Sequence, residues 1–161
     1  MGRWAGIVLV AAVVFGGCGP AAAGAATPPG VPTEAAARAL VDQLVTLATS
    51  GNLDAICNLG SGTCPHDLRS APVGSAPTAA PTIAGSWVIE PVAQAGGTWS
   101  LGGRAFALCG TDGLDNRFYS EVLVFDAGAG SLRAVNAVFW TGARIATSVD
   151  TGSTAQRFAC P

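Results

Sequence analysis

Five cysteines, ten carboxylates, one tyrosine and one histidine are the side chains through which this 161-residue chain could do chemistry. Cys18 stands apart, at the end of an apolar run near the N-terminus. The other four, Cys57, Cys64, Cys109 and Cys160, form an even set, which in an exported chain reads as a disulfide framework with three possible pairings. Cys57 and Cys64 flank a glycine-containing bend, Asn58 to Thr63, that can bring them together, and this leaves Cys109 to hold Cys160 near the end of the chain. The crossed pairing, Cys57 with Cys109 and Cys64 with Cys160, is the main rival. No pair has C-x-x-C spacing and only His66 could add an imidazole, so neither a zinc site nor a dithiol redox centre is expected. No metal or cofactor is assigned.

Acid–base chemistry would fall to Asp112, Asp115, Tyr119, Glu121 and His66, provided the fold gathered them in one pocket. Each has a plainer reading. Gly110-Thr-Asp-Gly-Leu-Asp-Asn116 has the composition of a turn, where Asp and Asn tolerate unusual backbone angles. Tyr119 and Glu121 alternate on an expected strand, and His66, between Pro65 and Asp67, suits a helix start. The spacing of Asp112, Asp115 and Asn116 does not match an EF-hand, and no G-x-S-x-G, P-loop or H-E-x-x-H occurs. No residue is therefore assigned a catalytic role. The rings of Trp87, Trp99, Phe106, Tyr119, Phe125, Phe139 and Trp140 fall on expected strands. Large rings supply much of a small core, and a subset of these offers a face for a ligand or partner.

These residues must be positioned by a chain that changes character twice. Arg3 precedes an uncharged apolar run from Trp4 to Phe15, too short at ~1.5 Å per residue to cross the ~30 Å hydrocarbon core but suited to the middle of a secretory signal. Phe15-Gly16-Gly17-Cys18 resembles the lipobox of bacterial lipoproteins, with Phe15 in place of the usual aliphatic residue. The resemblance implies a signal peptide over residues 1–17. It also implies a lipidated Cys18 carrying diacylglyceryl and palmitate-type chains, on the outer face of the cytoplasmic membrane. Plain secretion, with cleavage after Ala21-Ala22-Ala23 or Ala23-Gly24-Ala25, is the alternative. Residues 18–32 then form a tether, uncharged and proline-containing, whose ends as a flexible coil would lie about 20 Å apart. All eight basic residues are arginine, and Ala and Gly abound, as in small actinobacterial envelope lipoproteins, which the chain resembles.

Residues 33–161 read as a single α+β domain. Thr33 can cap a helix with Glu34 in its first turn, followed by Ala37, Leu40, Val41, Leu44, Leu47 and Ala48 at helical spacing and Gly51 as its stop. Asn52 can cap a second helix, Leu53 to Leu59, closed by Gly60, and Cys64 to Leu68 can make one further turn. Ser70 to Pro81 is loop. Strands are expected over Ser86–Val92, Trp99–Cys109, Phe118–Phe125 and Leu132–Trp140, the last running on towards Ile145, with turns at Gly96-Gly97 and Gly128-Ala-Gly130. The expected architecture is N-terminal helices on one face of a curved antiparallel sheet of about four strands. Val122-Leu-Val-Phe125 and Val135-Asn-Ala-Val-Phe-Trp140 are apolar on both faces, so the second face must be covered by loop and tail, curled into a pocket, or buried against another subunit.

This order of elements, with Ser50-Gly-Asn-Leu-Asp-Ala-Ile56 and Ala137-Val-Phe-Trp140, resembles the cystatin-like fold, and within it the nuclear-transport-factor-like and ketosteroid-isomerase-like domains. At 11% charged and 50% apolar residues, neither a disordered polyelectrolyte nor a nucleic-acid binder fits. The expected function is a lipid-anchored extracytoplasmic module without catalysis, binding a small apolar ligand or a protein partner through the second sheet face. The alternatives are an isomerase-like or cyclase-like enzyme with an Asp or Tyr in a cone-shaped pocket, and a structural homodimer.

Overall fold

The computed structural model describes residues 30–61, 76–145 and 156–161. Cys18, Cys64, His66, the Cys64–Leu68 turn and most of the tether lie outside the described residues. The first helix, α1 (Glu34–Thr49), starts where Thr33 leaves the extended region and its hydroxyl accepts the Ala36 N–H at 3.2 Å. Ala37, Leu40, Val41, Leu44 and Ala48 form its buried stripe. Gly51 takes the left-handed conformation (φ 73°) that ends the helix, and Asn52 caps α2 (Leu53–Leu59) by accepting the Ala55 N–H at 3.2 Å. Both helices fall where the apolar period and the capping residues place them.

Four strands follow as an antiparallel meander: β1 (Thr82–Ile89), β2 (Gly103–Thr111), β3 (Arg117–Asp126) and β4 (Leu132–Val135), hydrogen-bonded in that order. The first runs ahead of the expected Ser86–Val92: it starts at Thr82, paired with Cys109, and ends at Ile89, since Pro91 has no N–H to give a ladder. The second begins at Gly103, not at Trp99. Residues 90–102 instead make a small ribbon, with a bridge between Ala93 and Trp99 and a turn in which the Gln94 N–H reaches the Thr98 carbonyl at 2.8 Å. The largest correction concerns the last strand, expected to reach Trp140. It stops at Val135, because Asn136 turns to φ 58° and its side-chain amide donates to the Glu121 carbonyl at 2.9 Å. Phe139–Thr141 is a 3-10 turn instead.

Alternation along β2 and β3 sorts the side chains into two layers. Phe106, Leu108, Phe118, Val122 and Val124, with Ala134 of β4, share one core cluster with the buried stripe of α1 and with Ile56 of α2. Phe139 and Trp140 belong to that same cluster, edge-on to each other at 5.3 Å. Each large apolar side chain so buried contributes roughly 1.5–3 kcal/mol. Beyond α2, Gly60 bridges to Ala134 and the Ser61 N–H donates to the Ala134 carbonyl at 2.8 Å, so the open edge of β4 is covered. The opposite face carries Ala107, Cys109 and Tyr119, packed with Ala84, Trp87, Phe158 and Cys160.

Candidate functional site

The second face is where apolar pattern and chemistry-bearing residues meet. Along β2 it presents Gly103, Ala105, Ala107 and Cys109, all small, so the middle of the sheet leaves room above it. The tail covers that room at one end, and at the other a groove is left.

At one end lies the tail, residues 156–161. Cys160 is disulfide-bonded to Cys109, with Cα atoms 5.6 Å apart. This bond is one of the two expected and excludes the crossed pairing. Cys57 is also disulfide-bonded; the Cys64 half of its expected pair lies outside the described residues. The Phe158 ring sits 5.7 Å from that of Trp87 and directly over Gly85, where any Cβ would collide with it. Arg157 stacks its guanidinium 4.7 Å over Trp87, and Arg117 donates to the Pro161 carbonyl at 2.9 Å. Between the tail and the ends of β1, β2 and β3 runs a polar cleft of about 590 Å³, bordered by Thr82, Thr111, Arg117 and Gln156.

In the middle stand the two most suggestive acid–base candidates, Tyr119 and Glu121. Both are buried, Glu121 to 4% exposure. The Tyr119 hydroxyl donates to Glu121 Oε1 at 3.0 Å and accepts the Arg157 N–H at 3.1 Å. The other carboxylate oxygen, Oε2, accepts the Ile145 N–H at 3.1 Å, while the Glu121 N–H donates to the Ala143 carbonyl at 2.9 Å. Burial, followed by the hydrogen bond to and the negative charge of Glu121, raises the Tyr119 pKa above its usual value. The Arg144 guanidinium lies 5.2 Å from the centre of the Tyr119 ring. Both carboxylate oxygens and the phenol are thus engaged by the protein itself, and the pair ties residues 143–145 and 157 down onto the sheet.

The remaining carboxylate candidates do not join them. Asp112 Oδ1 accepts the N–H groups of Leu114 and Asn116 at 2.8 and 2.9 Å, closing the turn between β2 and β3. These bonds, that from the Asn116 backbone first, hold its carboxyl below the usual value. Asp115 is exposed at φ 63° in the same turn. Among the described residues no group of three His, Cys, Asp or Glu side chains could hold a metal ion.

At the far end a groove of about 520 Å³ remains. Leu123 and Val135, register partners on β3 and β4, contribute its sheet side; Ile89, Val92 and Leu101 border it from the end of β1 and the ribbon, and Ile145 from the segment that Glu121 fixes. Glu90, Gln94, Ser100 and Arg144 supply its polar margin. Val92 and Leu101 are 61% and 46% exposed.

The aromatic set expected on this face is divided by the fold. Trp87 and Tyr119 lie on it, packed with the tail and, for Tyr119, under Arg144 of the 143–145 segment, and Phe125 is half-buried near the end of β3. Trp99 belongs to the ribbon. Phe106, Phe139 and Trp140 are core residues of the opposite layer, and the last two are not on a strand. The groove is built from aliphatic residues instead. Leu123 and Val135 are legible in the sequence through the two-sided runs Val122–Phe125 and Val135–Trp140; Ile89, Val92 and Leu101 fall in the expected strands Ser86–Val92 and Trp99–Cys109, but nothing in their spacing marks a groove. No family model, curated protein or solved structure matches the chain.

Proposed function

We propose that the chain is a lipid-anchored extracytoplasmic module of cystatin-like α+β architecture that holds a small apolar ligand on the second sheet face without catalysing a reaction. The observation that carries the reading is the groove between Leu123, Val135, the 89–101 ribbon and Ile145, which keeps aliphatic surface open on a face otherwise closed by the protein's own chain. Its volume falls in the range of small-molecule sites, and its composition, apolar walls with few polar groups at the margin, is that of a site which binds by desolvation and orients by hydrogen bonds. The commitment of both Glu121 oxygens and of the Tyr119 hydroxyl to protein partners favours binding over acid–base catalysis. A protein partner is the second reading, favoured by the exposure of Val92 and Leu101 on the ribbon.

Titration of the full chain with the fluorescent probe 1-anilinonaphthalene-8-sulfonate tests the groove. Leu101→Asp places a charge on its margin at an exposed position, so the fold is retained while probe affinity falls at least about tenfold, or ~1.4 kcal/mol. Equal binding by the two proteins would remove the groove as the site.

A further inference from the structure

The tail disulfide and the groove stand at opposite ends of the second face, yet one chain of hydrogen bonds joins them. Cys160, bonded to Cys109, fixes the tail. Three residues earlier, the Arg157 N–H donates to the Tyr119 hydroxyl, which donates in turn to Glu121 Oε1. Glu121 Oε2 receives the N–H of Ile145, a wall residue of the groove. Arg144, at the groove margin, stacks on the ring of the same tyrosine. The series links the tail to residues 144 and 145 through two side chains of the second face, and the Tyr119 hydroxyl touches both the tail and Glu121.

From this connection we infer that the Cys109–Cys160 disulfide regulates ligand affinity in the groove, its state being passed through Tyr119 and Glu121 to Ile145. The inference rests on the groove being a binding site. The bond borders the polar cleft beside the tail, where a reductant can reach it. An external dithiol supplies two electrons and two protons: the Sγ–Sγ bond breaks, Cys109 and Cys160 become thiols, and the dithiol leaves as its own disulfide. The freed tail no longer presents the Arg157 N–H to Tyr119. The phenol then loses its donor on one side and its fixed orientation towards Glu121. The carboxylate in turn holds Ile145 less well, and the groove loses a preformed wall. By linkage, a ligand in the groove makes the disulfide harder to reduce.

The test uses the full chain and defines groove binding as the component of 1-anilinonaphthalene-8-sulfonate binding that Leu101→Asp abolishes. Cys109→Ser with Cys160→Ser opens the bond without disturbing Cys57. It is expected to weaken that component about five- to tenfold, within the usual range of coupling between sites. Tyr119→Phe with the disulfide intact gives a similar loss, and the triple variant is no weaker than either, since all three act on one connection. Amide exchange at Ile145 speeds up in each variant and reads the connection without a ligand. Wild-type affinity in the double serine variant, or losses that multiply in the triple variant, would overturn the inference. If the double serine variant fails to fold, unchanged affinity or unchanged Ile145 exchange in Tyr119→Phe overturns it equally. Absence of any Leu101-dependent binding in the wild type defeats the groove reading and this inference with it. Leu101-dependent binding that neither the double serine variant nor Tyr119→Phe changes defeats the inference alone.

Discussion

Single residues on the second face and in its turns are held by charge and hydrogen bonding in ways that pH can read. The Asp112 carboxylate accepts three N–H donors of its own turn, with Asn116 foremost, and its folded pKa is lowered from 3.8. A depressed carboxyl contributes stability that is present above the unfolded value and is lost as pH falls through the folded one. Tyr119 behaves in the opposite sense: its folded pKa is raised from 10.0, so its contribution is complete below that value and is lost as pH rises through the folded one. Urea midpoints measured from pH 2 to pH 11 are therefore expected to fall at both ends. Asp112→Asn flattens the acid limb and Tyr119→Phe the alkaline limb, each leaving the other limb unchanged. An acid limb of the same steepness in Asp112→Asn would show that the turn carboxylate is not its source.

Among the elements, the tail packs on the sheet through a contact that only glycine permits. Gly85 follows a register shift in β1, and the Phe158 ring occupies the space a side chain would need. Gly85→Ala is expected to cost about 1–3 kcal/mol by overpacking, measured by urea denaturation. With Phe158→Ala already present most of that cost disappears, because the ring no longer lies there. Equal costs in both backgrounds would mean that the glycine serves the strand alone. The disulfide adds to the same docking: closing a loop across 51 positions contributes about 4 kcal/mol by loss of unfolded-state entropy.

At the scale of the whole molecule the domain has two unlike sides. Helical stripe and strands enclose one core, while the reverse of the sheet is closed in part by the tail and residues 143–145 and left open at the groove. The chain enters the domain at the start of α1, where Glu34 lies 3.5 Å from Arg104 and accepts a hydrogen bond from Ser86 at 3.2 Å. Among the described residues no helix is long and apolar enough to cross a membrane. Attachment, in the function proposed, rests on acyl chains at Cys18, of which two or more are needed for durable binding. Cells fed an alkynyl palmitate analogue are expected to label the wild-type chain and not Cys18→Ala; an unlabelled wild type would end the lipid-anchor reading.

What the sequence determined by itself was local. Thr33, Asn52, Gly51 and the 3.6-residue stripe specify both helices, because caps and periodicity act within a few residues. The turn at Asp112–Asn116 was legible for the same reason, and so was the existence of four strands. Strand ends were less so: Val135-Asn-Ala-Val-Phe-Trp140 looks continuous as a string of side chains, but the bond from Asn136 to the Glu121 carbonyl, formed across the sheet, bends the chain away. The two-sided apolar pattern announced that the second face would be hidden without saying by what. That was decided in three dimensions, because Cys160, Phe158 and Ile145 reach Cys109, Gly85 and Glu121 only once the meander has brought β1, β2 and β3 side by side. The groove is what those long-range contacts leave uncovered, and no local rule of spacing could have outlined it.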